Sequence, residues 1–327
     1  MLRMPAFTLQ HPASADEAVR MRTELDSLYL AGGTDLLVNL KHRLHQAEHV
    51  IDLRAVPGLS GIETTDGAVR IGAMTPLAAV EADPTVRASF PGLAEAVASI
   101  AGPQHREMGT LGGNVMLDTR CLFYNQTEEW RTALGKCLKA DGDWCHVIGS
   151  AKACVAAQSS DSVPMLTALG ATLEIRTAPG TVQTVALADL YTKDGRYDQV
   201  HTVPRTSLLE AIRIPLPGPG HRSTYRKVRS RRAVDFPQLG VAVAATFDGP
   251  TCTSLEVVLG ALLPSPRRLP TLAEGIGTPW TDDVIAAVAD RVRRFARPQR
   301  SIHGDPAWRR HLAGVETRRA LEALRQS

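Results

Sequence analysis

No stretch of this 327-residue chain approaches the roughly 20 apolar residues that a membrane span requires, and residues 1–10 hold no basic segment leading into a long apolar run. The expectation is a cytoplasmic protein with no membrane partner. Charge of one sign is missing too. The 37 Lys and Arg against 34 Asp and Glu leave a formal net charge of +3, too little to gather nucleic acid by bulk attraction. Aromatic residues amount to 5%, and no aromatic ladder accompanies the one basic run, Arg226, Lys227, Arg229, Arg231 and Arg232. On a strand those side chains alternate between faces, so no nucleic-acid partner is expected. No pattern reads as a hydrolytic or acid–base active site, and no catalytic residue is assigned. Cysteine is scarce, five in all, and a reducing cytosol disfavours disulfides. The scarcity is uneven, because Cys121, Cys137, Cys145 and Cys154 fall close together and only Cys252 lies elsewhere.

The chain is long for one hydrophobic core, and 44% hydrophobic content is ordinary for a globular protein. Glycine is concentrated in two places. Residues 101–115, Ala-Gly-Pro-Gln-His-Arg-Glu-Met-Gly-Thr-Leu-Gly-Gly-Asn-Val, follow an apolar helix expected over 93–101. Their glycines allow close approach of backbone to ligand and suit a pyrophosphate. Earlier, a strand over 28–31 runs into Gly32-Gly33-Thr34-Asp35 and then an apolar helix start at Leu36, Leu37 and Val38. Strand, glycine turn and helix start is a phosphate-cradling order, though a tight turn with Thr34 or Asp35 capping the helix explains the same residues.

The remaining elements follow from periodicity and punctuation. Ser14 and Glu17 form a capping box ahead of a helix over 15–25. Strands are expected at 49–53, 69–73, 172–176, 208–214, 223–229, 240–247 and 254–262, and regular structure at 163–169. Two terminal helices are expected at 282–295 and 306–324. Pro57-Gly58 and the Pro/Gly cluster at 215–219 divide the chain into an N-terminal lobe (1–57), a second lobe (58–219) and a C-terminal α+β domain (220–327). Between about 118 and 158 regular periodicity is lost, which marks an inserted loop that needs something to hold it.

A metal centre would serve. The spacing Cys-x15-Cys-x7-Cys-x8-Cys fits neither the close pairs of zinc ribbons nor the tight run of bacterial ferredoxins, so zinc, a [4Fe–4S] cluster and unligated thiols all remain open from the residues alone. His146 reads as a surface-loop histidine, Trp130 and Trp144 as packing over the insertion, and Cys252 as a small buried hydrophobe.

Taken together, Leu30-Ala31-Gly32-Gly33-Thr34-Asp35-Leu36 and the second loop ending in Thr110-Leu111-Gly112-Gly113-Asn114 resemble the paired FAD pyrophosphate loops of the medium subunits of molybdenum hydroxylases, the xanthine dehydrogenase and carbon monoxide dehydrogenase group. The resemblance extends to Ser160-Asp161, to Ile212-Arg213-Ile214-Pro215 and to the final helix from Trp308. It implies an α+β fold: a two-lobed FAD-binding domain of the PCMH type, followed by a C-terminal domain of the carbon monoxide dehydrogenase flavoprotein type. It also implies non-covalent FAD contacts from Leu30, Ala31, Gly32, Gly33, Thr34, Asp35, Leu36 and Leu37, from Thr110, Gly112, Gly113 and Asn114, and from Asp161, Ile100 and Lys227. Most such subunits lack the cysteines. Those here resemble the insertion of the β subunits of 4-hydroxybenzoyl-CoA reductases, which implies that Cys121, Cys137, Cys145 and Cys154 hold a [4Fe–4S] cluster. The implied setting is an electron-transfer subunit beside a large molybdenum cofactor subunit and a small subunit with [2Fe–2S] clusters, a dimer of heterotrimers that takes electrons from ferredoxin. Other molybdenum hydroxylases or aldehyde oxidoreductases, and a zinc-stapled interaction protein, are the alternatives.

Overall fold

A computed structural model describes residues 2–193, 199–232, 234–300 and 304–326. The chain begins with a small parallel sheet. Strands β1 (Thr8–Gln10), β2 (Ser27–Leu30) and β3 (His49–Asp52) lie in the order β1-β3-β2. Helix α1 (Ala15–Glu24) starts as its capping box predicts: Ser14 Oγ accepts from Glu17 N–H at 3.1 Å, and the Glu17 carboxylate accepts from Ala13 N–H at 2.7 Å. Its Ala18 and Val19 are buried with Ile51 and Leu53. The β2 strand ends at Leu30, so the first glycine turn emerges at the sheet edge and leads into the short α2 (Leu36–Lys41).

The second lobe is an antiparallel sheet of β4 (Ile62–Thr65), β5 (Ala68–Gly72), β6 (Thr172–Ala178), β7 (Thr181–Ala186) and β8 (Leu208–Pro215), ordered β4-β5-β8-β6-β7. Alternation puts Val69, Ile71, Leu173, Ile175, Ile212 and Ile214 on one face and into the main core. Short helices cover that face: α3 (Leu77–Ala82), α4 (Pro84–Ser89), α5 (Pro91–Ala98), α6 (Pro103–Met108) and α7 (Leu111–Val115). The helix expected over 93–101 ends at Ala98, and Ala101 takes a left-handed φ of 46° that turns the chain into the second glycine loop. The insertion contributes only α8 (Glu128–Leu134) and a single 3-10 turn at Leu138–Ala140 before α9 (Ser162–Ala168).

In the C-terminal part, β9 (His221–Val228), β10 (Leu239–Asp248) and β11 (Thr251–Gly260) form an antiparallel sheet with the two-residue β12 (Arg267–Arg268) and β13 (Thr278–Pro279). Helices α10 (Asp282–Phe295) and α11 (Pro306–Gln326) pack on one face. The near-continuous apolar run of β10 has a physical reason. Leu239, Val241, Val243 and Ala245 join the core under these helices, whereas Ala242 and Ala244 join the core of the second lobe, so both faces are covered. The junction is also polar, with the Glu95 carboxylate accepting from Thr224 Oγ1 at 2.7 Å and from Tyr225 N–H at 2.8 Å. Among the described residues no helix is long and apolar enough to cross a membrane.

Candidate functional site

The two glycine loops, far apart in sequence, lie against each other. A side chain at Gly32 would collide with the Met108 carbonyl oxygen, and a Cβ at Gly109 would stand 3.3 Å from Thr34 Oγ1. Glycine is required at position 32 because the second loop's backbone occupies the space.

Their roles differ. In the second loop the amides are used internally: Leu111 N–H donates to Thr75 O, Gly112 N–H to Ala73 O, Asn114 N–H to Thr110 O, and Gly113 N–H to Thr110 Oγ1 at 3.1 Å. Gly112 sits where a Cβ would approach Ala73 to 2.6 Å. In the first loop no acceptor among the described residues takes the N–H groups of Gly32, Gly33, Thr34 or Asp35. The sequence reading gave both loops the same task, but the geometry makes the first the donor of free amides and the second its brace. The helices that follow, α2 and α7, have only six and five residues, so the cradle rests on exposed amides and not on a long helix dipole. Leu30, Leu36 and Leu37 turn their side chains into a small core with Leu40 and Val50, leaving only their backbone toward a ligand.

Asp161 and Lys227, expected separately at the flavin, meet in a buried ion pair of 2.7 Å. Tyr225 OH donates to the other Asp161 oxygen at 2.8 Å, and Lys227 Nζ also donates to Ser99 O at 3.0 Å, one residue before Ile100. The helix-cap alternative for Asp161 is not adopted, since its side chain makes no cap hydrogen bond to α9. Burial lifts the Asp161 carboxyl above its ordinary range, opposed by the Lys227 ammonium, and pushes Tyr225 well above the usual phenol value. Asn114 Oδ1 accepts from Ser160 Oγ at 2.6 Å and Ser162 Oγ at 2.7 Å, tying the second loop to the start of α9.

Beside this network, both polar atoms of the Gln158 side chain and Ser159 Oγ are buried without a partner among the described residues. A buried amide left unpaired costs about 1–3 kcal/mol. These groups therefore call for a polar ligand or water, and with the free amides of the first loop they fit a dinucleotide such as FAD. Sequence reasoning missed Gln158, Ser159 and Tyr225. The polar run Gln-Ser-Ser-Asp-Ser before an apolar helix was the available signal for the first two, and Tyr225 carried none.

The four clustered cysteines line one small cavity, together with Phe123, Tyr124, Lys139 and His146. Backbone amides point at the sulfurs. Ile148 N–H lies 3.5 Å from Cys145 Sγ and Ala156 N–H lies 3.4 Å from Cys154 Sγ, while the amides of Phe123 and Tyr124 serve Cys121. Such donors stabilise thiolates and tune a metal centre. In the bare chain burial raises the Cys121 and Cys154 thiols above their ordinary value. Among the described residues no three His, Cys, Asp or Glu groups are placed to hold a metal ion. His146, expected on the surface, also lines the cavity, its Nε2 at 2.6 Å from Gly135 O and its ring 5.2 Å from that of Phe123. Trp144 and Trp130 remain 56% and 38% exposed and cover the insertion less than expected. Cys252 is buried elsewhere, its thiol donating to Ser254 O.

The insertion is closed by charge. Arg120 and Ala157 exchange backbone hydrogen bonds at its base, and the Arg120 guanidinium pairs with Asp35 of the first glycine loop. Burial draws Arg120 down to about 10. Lys139 Nζ is buried against Asp118 at 2.7 Å, Thr119 O at 2.9 Å and the Tyr124 ring at 4.7 Å.

Residues 5–217 match the FAD binding domain in molybdopterin dehydrogenase, and residues 223–324 match the CO dehydrogenase flavoprotein C-terminal domain. The chain is 32% identical over 274 residues to the aldehyde oxidoreductase FAD-binding subunit PaoB of Escherichia coli K12, an alignment that covers 81% of this chain and 84% of that protein. It is 29% identical over 320 residues to the carbon monoxide dehydrogenase medium chain of Afipia carboxidovorans, covering 97% and 96%. Among solved structures it superposes with a chain of the Hydrogenophaga pseudoflava carbon monoxide dehydrogenase that lacks the Mo-pyranopterin moiety of its cofactor. There the TM-score is 0.79 at 26% identity, over 98% of each chain.

Proposed function

The chain belongs to the FAD-binding subunits of the molybdopterin dehydrogenase family, and we propose that within such an oxidoreductase it carries both FAD and one [4Fe–4S] cluster as the electron-transfer subunit. The observation that carries this reading is the meeting of all four clustered cysteines on one cavity, with backbone N–H groups directed at the sulfurs of Cys121, Cys145 and Cys154. When bound, FAD links two-electron to one-electron exchange and the cluster passes single electrons.

The chain's own residues hold and tune these groups. The free amides of residues 32–35 receive the diphosphate, with Thr110, Gly112, Gly113 and Asn114 bracing them. Ile100, Asp161 and Lys227 border the flavin, and the ammonium of Lys227 is kept in place by Asp161 and Ser99 O. Neither loop bears a histidine or cysteine at a position the family uses for covalent flavin attachment, so the flavin is retained by these contacts alone. Cys121, Cys137, Cys145 and Cys154 ligate the iron.

The partners proposed are a large molybdenum cofactor subunit and a small subunit with [2Fe–2S] clusters, assembled as a dimer of heterotrimers. On the resemblance of the insertion, the complex is a 4-hydroxybenzoyl-CoA reductase: the thioester takes up two electrons and two protons to give benzoyl-CoA and water, with reduced ferredoxin as donor and the cluster as port of entry. A second reading, aldehyde oxidation, is favoured by the 32% identity to the aldehyde oxidoreductase subunit. Turnover of the reconstituted complex separates them. The first reading expects ferredoxin-driven reduction of 4-hydroxybenzoyl-CoA that Cys145→Ser abolishes while turnover with a small reducing dye survives. Aldehyde oxidation without any thioester reduction overturns it, and a Cys145→Ser complex that keeps full ferredoxin turnover overturns the role of the cluster as port.

A further inference from the structure

Arg120 stands where the two cofactor sites meet. It precedes Cys121 in the chain, exchanges backbone hydrogen bonds of 2.8 and 3.1 Å with Ala157, and places its guanidinium on Asp35 and 4.7 Å from the Phe236 ring centroid. Its Nε is buried with no acceptor among the described residues. A second arginine of the insertion grips the far end of the same short helix. Arg131 donates to His42 O at 3.2 Å and Arg43 O at 3.0 Å, just beyond α2, where Arg43 takes a left-handed φ of 58°. The helix that extends the first glycine loop is therefore held at both ends by insertion residues.

That loop presents four free amides in succession and ends on a carboxylate, Asp35. A carboxylate there opposes a doubly charged diphosphate unless a cation offsets it. The insertion that supplies the cation buries few apolar side chains, so its order depends on what its cysteines bind.

We propose that Arg120 is a positioning residue that couples the two cofactors: with the metal centre in place it neutralises Asp35 and fixes the first glycine loop for the FAD diphosphate. When the centre is lost, Arg120 is released, the loop relaxes and FAD binds more weakly. The inference rests on the reading of the chain as an FAD and [4Fe–4S] subunit. Because linkage is reciprocal, bound FAD also holds the metal more tightly.

The test measures FAD affinity, by quenching of flavin fluorescence, for the full chain in iron-loaded and iron-stripped forms of the wild type, Arg120→Gln and Asp35→Asn. Stripping iron from the wild type should weaken FAD binding about tenfold or more, within the usual span of coupling between sites. Arg120→Gln should bind FAD weakly in both forms, with a ratio near one. Asp35→Asn, which changes no residue of the insertion, should bind FAD with little dependence on iron, because no carboxylate remains to be neutralised. Equal affinity in the two wild-type forms overturns the coupling alone, as does an Arg120→Gln chain that keeps the wild-type ratio. An iron-loaded wild type that binds no FAD overturns the underlying functional reading and the coupling with it.

Discussion

The flavin cradle and the cysteine insertion lie side by side and are held together in different ways. Behind the cradle stands the main core, in which Leu111 and Val115 of the second loop pack with Ile71, Leu93 and Val163. Apolar burial and glycines pressed against backbone shape the second loop and its contact with the first. The insertion buries Arg131 and Lys139 under carbonyls and carboxylates, and leaves Leu122, Leu134 and Trp144 exposed. A segment with so little apolar burial cannot offset its own conformational entropy. One region thus has a packed apolar core behind it, whereas the other is held mainly by charge and carbonyl contacts.

The largest expected effect separates the regions directly. Cys145→Ser should reduce bound iron from about four per chain toward none and make residues 118–158 the first site of limited proteolysis. Digestion that begins in the second lobe instead would erase the contrast.

Next is the buried pair of Asp161 and Lys227. Lys227→Met leaves Asp161 without its cation and should lower stability by about 3–5 kcal/mol, while the double variant with Asp161→Leu should recover most of that loss. Denaturant midpoints of the two single variants and the double variant read the cycle. A second reporter of burial is His201, packed 5.5 Å from the Tyr191 ring and drawn down to about 4 by burial. A histidine held neutral in the fold contributes stability above its unfolded value of about 6.5 that is lost as pH falls toward 4, here by up to about 3 kcal/mol. Replacing it by Phe should flatten that decline, and a pH-stability curve identical to the wild type would remove His201 from the account.

Smaller effects should follow at the loop contact and at the remote thiol. Gly32→Ala forces the two loops apart, at a cost of about 1–3 kcal/mol, and should strip FAD while leaving iron in place. Cys252→Ala, in the C-terminal core, should change neither iron nor FAD content, and iron loss there would revise the ligand set.

Much of this was legible from local signals. The capping box at Ser14, the α10 span and the strand runs of the three sheets are set by short-range periodicity and end chemistry, and they lie close to where those patterns put them. That the two glycine loops lie against each other, and that they use their amides differently, was not legible. The latter depends on which carbonyls take the amides of residues 111–114, and these come from Ala73, Thr75 and Thr110. The same limit hid the Asp161 and Lys227 pair, 66 positions apart. His146 is a part-exposed loop histidine, as expected, but its contacts with Gly135 and Phe123 are brought about only by the fold of the insertion. Charge contacts such as Arg120 with Asp35 leave no periodic trace at all.

The proposal that one chain holds both a flavin and an iron–sulfur centre rests on the two glycine loops and on the four clustered cysteines. It is tested most directly by metal, sulfide and flavin analysis of the full chain purified without oxygen. The account predicts about one FAD with about four iron and four sulfide per chain, and no zinc. A colourless preparation whose cysteines hold zinc, or one with flavin and no iron after anaerobic reconstitution, would contradict it.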